Sequence, residues 1–344
     1  MSNRKVIFFA PNVHTGGGLT LLKSLIVDVL PELDVEFILD ERARNQVTDI
    51  LSDHKCHFFS SSMSGRWKAE RKLQAVSGDD TVTLCFHNLP PILNVKGTVK
   101  VFLQNRLLVD REHIGSHPIF VKCRLGIESI ILRKFAWKVS EFLVQTQSMA
   151  RHLDLFLGNR STTRVKISPF FKFENVAVKP SLEADDFYFY ISSGDTHKNH
   201  ENLLIAWQLL QTKFGRTPKL LLTVADGHAV VVNRIKQLQS EGIDIDNLGS
   251  CEYQQTMATL ERCKALIFPS FTESFGLPLI EASRMDKAIL ASELDYVRDV
   301  CEPVETFDPT SPLSIARAVA RFEGKGSMID EVESPTKFWR DVVM

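Results

Sequence analysis

The chain has 344 residues, 44% of them hydrophobic and 24% charged, with a formal net charge of -1. That length predicts two domains, and the near-neutral charge excludes a strongly basic nucleic-acid binder. The six cysteines (Cys56, Cys85, Cys123, Cys251, Cys263 and Cys301) contain no C-x-x-C pair and no metal-ligand spacing, which predicts buried free thiols in a reducing compartment and no bound metal.

Lys5 to Ala10 reads as the first strand. Its apolar run is too short for a signal core and is followed by Pro11 and Asn12. No run reaches the ~20 apolar residues that span a bilayer, so the expected location is the cytoplasm, with membrane contact only at the protein surface. Leu22, Leu25, Ile26 and Val29 then repeat at helical spacing until Pro31. Val35 to Leu39 is a second strand, and short apolar runs follow at Cys56–Phe59, Thr81–Phe86, Val99–Leu103, Phe142–Val144 and Val165–Ile167. Strands separated by helical patterns predict parallel β-α-β winding, with ligands beyond the carboxyl ends of the strands.

Those strand ends carry the polar residues of this half. His14-Thr15-Gly16-Gly17-Gly18 follows the first strand, and its glycines let backbone N–H groups approach a ligand. A dinucleotide fingerprint would need glycine where Leu21 stands. His87, in Phe86-His87-Asn88-Leu89-Pro90, and Gln104, in Phe102-Leu103-Gln104-Asn105-Arg106, stand at two of these ends as polar candidates for ligand contact. Two segments mix basic and apolar residues. Arg66-Trp67-Lys68 with Arg71 and Lys72 has few apolar residues to bury, which predicts a mobile loop or short helix meeting anionic lipid, each basic residue adding ~1 kcal/mol. Lys122 to Lys138 is expected to be a helix with its apolar face in the core and its basic face in water. Thr146 or Ser148 should cap the helix after the strand at Phe142.

Residues 173 to 186 read as a linker, with Pro180, several acids and no period. A strand from Phe187 to Ile191 follows. The loop Ser192 to Asn202 then precedes a helix with Leu203, Ala206, Trp207 and Leu210 on one face, which aims Lys198 at a cleft. Leu220–Val224, the helix with Val232, Ile235 and Leu238, and Ile243–Leu248 continue the alternation up to Gly249-Ser250. A helix over 253–262 leads to the strand Ala265–Phe268 and then to Pro269-Ser270-Phe271-Thr272-Glu273-Ser274-Phe275-Gly276-Leu277-Pro278-Leu279-Ile280-Glu281-Ala282. Pro278 is pre-set for a first helical turn. The N–H groups near Phe275, Gly276 and Leu277, with the helix dipole, favour an anion. Glu273 and Glu281 bracket that seat. Carboxylates repel phosphate, so they should face hydroxyl groups of the same ligand; a sugar joined to a nucleoside diphosphate has that mixture. Ala288–Leu290 is a further strand, and a helix runs from Ser311-Pro312 to Gly324.

The string Glu-Ser-Phe-Gly-Leu-Pro-x-x-Glu-Ala after Pro-Ser resembles the donor-site signature of glycosyltransferase family 4, the glycosyl transferases group 1, which are retaining enzymes of the GT-B architecture. The resemblance is specific in the second half and loose in the first. It implies an α/β fold of two Rossmann-like domains facing across a cleft: an acceptor domain over 1–172, a nucleotide-sugar donor domain over 173–329, and a tail, 330–344, packed back onto the first. It implies transfer of a hexose from a nucleotide diphosphate sugar, a substrate and not a bound cofactor, to a glycan or lipid-linked glycan of surface polysaccharide such as lipopolysaccharide. By this resemblance Gly17 and Gly18 face the donor phosphates, and Ser193, Lys198 and Asn199 form a phosphate loop. Gly249 and Ser250 border the base, Ser274, Phe275, Gly276 and Leu277 form the anion seat, and Glu281 holds the ribose. Lys198 and Glu273 are the catalytic pair, Lys198 on the diphosphate and Glu273 on the developing positive charge of the sugar. Two departures stand out. Gln104 occupies a place near the reacting sugar where the family often has histidine, so the resemblance makes Gln104, with His87 on the neighbouring strand, a contact to the sugar or acceptor. Ser192 and Ser193 stand where many members have arginine, leaving His197 as a substitute cation. Two other readings stay open: a nucleotide-sugar 2-epimerase on the same fold, with His87 as its base, and a non-catalytic sugar-nucleotide-binding subunit.

Overall fold

A computed structural model describes residues 4–51, 54–110, 118–158, 164–172, 185–215 and 217–325. Most of the expected linker and the whole of the tail expected on the first domain lie outside the described residues. Two parallel sheets organise the rest. The first has seven strands: β1 (Arg4–Ala10), β2 (Leu33–Asp40), β3 (Lys55–Phe59), β4 (Val82–Cys85), β5 (Thr98–Phe102), β6 (Glu141–Val144) and β7 (Arg164–Ile167), in the order β3-β2-β1-β4-β5-β6-β7. The second has six: β8 (Phe187–Tyr190), β9 (Lys219–Leu222), β10 (Ile245–Asn247), β11 (Ala265–Phe268), β12 (Ala288–Ser292) and β13 (Glu305–Phe307), in the order β10-β9-β8-β11-β12-β13. Of these, β13 is the strand that the sequence reading lacks; three residues with one buried side chain, Phe307, carry too little periodicity to announce it.

Each sheet winds outward from its first strand and then reverses, between β1 and β4 and between β8 and β11. At such a switch point neighbouring loops diverge and leave a crevice. The central strands are apolar along their whole length because helices cover both faces: Phe187 to Tyr190 and Ala265 to Phe268 are all buried. The domains meet directly. Arg106 N–H donates to Ser274 Oγ at 3.1 Å, Ser148 N–H donates to Asp299 Oδ2 at 2.8 Å, and Arg151 pairs with Asp295. Thr146 Oγ1 caps helix Gln147–Leu157 by accepting from Met149 N–H.

Three local expectations are corrected. Only Cys85, Cys263 and Cys301 are buried thiols; Cys56 and Cys123 are exposed. The Arg66 segment is a regular helix, Met63–Val76, and Arg66 turns inward, with its guanidinium 5.5 Å from the Phe9 ring centroid. Arg66 is therefore removed from any lipid-facing surface. The segment after Lys122 forms helix Ile119–Phe135, and it leaves large apolar residues in water as well as in the core.

Candidate active site

The donor-side motif is held by buried neutral hydrogen bonds. Tyr190, the last residue of β8, donates its hydroxyl to the Lys198 carbonyl at 2.7 Å and lies 2.9 Å from Ser270 Oγ. The Ser270 carbonyl accepts from Tyr296 Oη at 2.7 Å and from Ser292 Oγ at 3.0 Å. Asn199 takes the left-handed conformation, with φ 61°, and its Nδ2 donates to the carbonyls of Pro269 and Pro309. Its side chain is therefore spent on joining two loops, which corrects its assignment as a donor contact. The loops after β8 and β11 are tied together, and the result brings Lys198 to Glu273: Nζ donates to Oε1 at 2.6 Å, with the side chains 17% and 12% exposed. Partial burial makes this pair stronger than a surface ion pair and more sensitive to what replaces either charge.

Two cavities meet at that pair. The smaller, about 870 Å³, is lined from the first domain by the glycine loop and Lys23, and from the second by Ser192, Ser193, Lys198, Ser250, Tyr253, Phe275 to Pro278 and Glu281. The larger, about 1080 Å³, is lined by Arg106, Phe120, Arg124, His197 and His228 among others. Gln104, Asn105, Glu273 and Ser274 line both.

The smaller cavity is bounded by two helix N-termini. Helix Leu277–Arg284 starts after Gly276, whose φ of 69° favours glycine and which supplies no side-chain cap. Helix Gly16–Val27 starts within the glycine run, so Gly17 and Gly18 form its first turn; it too lacks a side-chain cap. A Cβ on Gly17 would lie 3.3 Å from Leu277 Cδ1, so the two helix starts are in near contact across the domain boundary. First-turn N–H groups and the positive dipole ends of both helices converge on this space. Glu281 is buried at its wall, and burial pushes its carboxyl up to about 7 although a hydrogen bond from Tyr253 acts in the opposite sense.

Not every expected contact reaches a cavity. His87 is buried; its Nδ1 lies 3.2 Å from the Phe9 carbonyl and its Nε2 lies 2.6 Å from Arg66 Nη2. Burial and the adjacent guanidinium hold its pKa well below the usual histidine range, so Nδ1–H donates and the bare Nε2 accepts. His87 lines neither cavity among the described residues, and its role as sugar contact or base is corrected to support of Arg66. With the Asn12 amide oriented to donate to the Pro11 carbonyl, Asn12 Oδ1 accepts from Arg66 Nη1 at 3.0 Å, so the support extends to the loop after β1. His197 lines the larger cavity and not the one holding Lys198, which separates it from the phosphate role. Gly249, with φ 71°, shapes its turn while Ser250 beside it lines the cavity. Ser274 Oγ is engaged by Arg106 N–H. Gln104 Nε2 donates to the Phe86 carbonyl at 3.1 Å.

The sequence reading missed Tyr253 and Lys23. Tyr253 opens the helix after Ser250, and Lys23 lies one turn beyond the glycines. Helical geometry alone could have aimed Lys23 at the glycine end only if the helix had been started at Gly16.

Two parallel Rossmann-like domains that share a cleft at their switch points form the GT-B architecture of glycosyltransferases. Residues 171–334 match the family described as glycosyl transferases group 1. Over 119 residues the chain is 27% identical to the serotype-specific mannosyltransferase WbdA of Escherichia coli; the match covers 34% of this chain and 15% of that protein's length. Among solved structures, sucrose-phosphate synthase of Thermosynechococcus elongatus superposes with a TM-score of 0.68 at 14% identity, over 93% of this chain and 90% of that one. HepE of Anabaena, solved with UDP and glucose, gives 0.65 at 14% identity over 93% and 90%. The lipopolysaccharide outer core galactosyltransferase WaaB gives 0.59 at 14% identity over 92% and 89%. No helix among the described residues is long and apolar enough to cross a membrane.

Proposed function

We infer that the protein transfers a hexose from a nucleotide diphosphate sugar to a hydroxyl of a glycan or lipid-linked glycan, with retention of anomeric configuration. The observation that carries this reading is the Lys198–Glu273 pair at the junction of two cavities. The smaller cavity offers what a nucleotide diphosphate needs: two helix N-termini and two lysines for the diphosphate, and Glu281 for the ribose hydroxyls. The larger cavity reaches the same junction from the other side and would hold the acceptor.

In this reading the diphosphate takes Lys198 from Glu273. Glu273, released beside the sugar, then faces its anomeric carbon. The bond between that carbon and the phosphate oxygen breaks, and its electron pair leaves with the diphosphate. Lys198 and the helix ends stabilise that charge, while Glu273 stabilises the cationic sugar. The acceptor oxygen bonds to the anomeric carbon from the side the phosphate leaves, and the acceptor proton passes to the departing phosphate oxygen. In this route the departing phosphate serves as the base, so the step asks for none from the side chains at the junction. The burial of His87 weighs against the 2-epimerase reading, which assigned the base to that residue. A surface-polysaccharide acceptor is supported by the likeness to WbdA and WaaB.

The test is donor consumption with and without acceptor, preceded by thermal-shift measurements over a panel of nucleotide sugars, because a bound ligand stabilises by mass action. Consumption that needs acceptor supports transfer. Consumption without acceptor supports isomerisation or hydrolysis, and a panel with no shift overturns the reading.

A further inference from the structure

Helix Ile119–Phe135 has two apolar faces. Leu125, Ser129, Leu132 and, just past its end, Ala136 are buried at intervals of three and four residues, the period of one helix face. On the other side Ile119, Phe120, Ile127, Ile130 and Trp137 are between 60 and 74% exposed. Of the fourteen large apolar side chains exposed among the described residues, these five fall within residues 119–137; the others are spread over the rest of the chain, as surface hydrophobics ordinarily are. The helix carries Lys122, Arg124, Arg133 and Lys134 against a single acid, Glu128. Arg124, Arg133 and Lys134 are exposed, whereas Lys138 is turned in to the carbonyls of Ile92 and Leu93. The first turns of the helix also bound the larger cavity, through Phe120 and Arg124.

We propose that this helix face docks the protein on an anionic lipid bilayer, with the larger cavity opening beside the membrane. The charge pattern selects that occupant. Bulky apolar residues interleaved with arginine and lysine match an interfacial helix that sinks its apolar side among acyl chains and keeps its cations at the headgroups. A protein interface also enriches aromatic residues and arginine but is depleted of lysine, which this face carries at Lys134. Trp137 at one end suits the headgroup level. The helix at Met63–Val76, the other basic candidate, offers less, because Arg66 and Glu70 are turned inward. Docking stands by itself. That the cavity beside the membrane receives a membrane-anchored acceptor rests on the transferase reading.

The experiment is co-sedimentation of the full chain with vesicles of phosphatidylcholine alone and of an equal mixture with phosphatidylglycerol. The wild type should bind the mixed vesicles at low salt and leave the neutral ones largely unbound. The double variant Arg133→Gln, Lys134→Gln should partition about 30-fold more weakly, and Ile127→Ser with Ile130→Ser should lose binding tenfold or more at every salt concentration. Trp137 emission should shift to the blue on binding and vanish from the signal in Trp137→Phe. These side chains are exposed, so circular dichroism and nucleoside diphosphate binding should match the wild type; that control separates failure of docking from failure of the donor site. Equal binding by all variants, or none by the wild type, overturns the proposal. So does a dimer that the same substitutions dissociate, which would make this face a self-association surface.

Discussion

The two domains hold their cleft-facing loops by opposite means. In the C-terminal domain the support is neutral: the Tyr190 and Tyr296 hydroxyls, Ser292, Ser270 and the Asn199 amide, all buried and hydrogen-bonded. In the N-terminal domain it is charged. Arg66 lies between His87 and Glu70, and Glu70, fully buried, also accepts from Ile92 and Leu93 N–H. Neutral networks tolerate pH and salt; a buried charge must keep its partner. The donor loop, which has to keep one shape while charges change beside it, is the one built from neutral groups.

The comparison breaks most severely at Arg66. Arg66→Met should destabilise the N-terminal domain by ~3–5 kcal/mol, because Glu70 is left buried and uncompensated. Chemical denaturation measures this, and the double variant Arg66→Met, Glu70→Leu should recover most of the loss. A loss below about 1 kcal/mol would place Arg66 among ordinary surface pairs.

At the junction of the domains, Glu273→Gln should lower kcat by ~10²-fold or more, the scale of one well-placed electrostatic group. Removing the carboxylate also frees Lys198, so nucleoside diphosphate affinity should be unchanged or higher. Lys198→Ala should instead raise the donor KM and lower kcat. Transfer kinetics with calorimetry on both variants decides between these roles. Normal turnover by Glu273→Gln would make the pair structural.

Glu281 sharpens the comparison, because it is a buried ionisable carboxyl beside a loop held by neutral groups. Its carboxyl is raised from 4.5 to about 7, so folding favours the protonated form. That contribution is fully present below the unfolded value and is lost as pH rises through about 7. Glu281→Gln should therefore raise stability by up to about 3 kcal/mol at about pH 8 and change it little below about pH 5. Nucleotide binding should move the other way. The ribose hydroxyls need an acceptor, so wild-type affinity should climb as Glu281 ionises, while Glu281→Gln binds weakly with a flat pH profile. Melting curves and calorimetry across pH test both, and a flat wild-type profile would take Glu281 off the ribose.

The smallest effect is expected at Gly17. A Cβ there would lie 3.3 Å from Leu277 Cδ1, a flexible side-chain end, so Gly17→Ala should cost a few-fold in donor KM and under about 1 kcal/mol of stability. A loss as large as that of Lys198→Ala would show that the glycine backbone itself is in contact with the donor.

The sequence alone determined the two-sheet winding. Strand and helix periods are local, and twelve of the thirteen strands announce themselves through apolar runs. It also determined the donor motif, because Glu273 to Glu281 is contiguous and its residue types state their chemistry in order. The tertiary structure decided the pairings between distant residues. Lys198 and Glu273 are far apart in the chain and form one ion pair; His87 looks like a strand-end ligand and is locked against Arg66; Asn199 looks like a phosphate contact and joins two loops. The same limit applies to helix Ile119–Phe135. Its sequence carries two apolar stripes, and periodicity cannot say which the core will cover. Only packing assigns one to the core, leaving Ile127, Ile130 and Trp137 to the solvent.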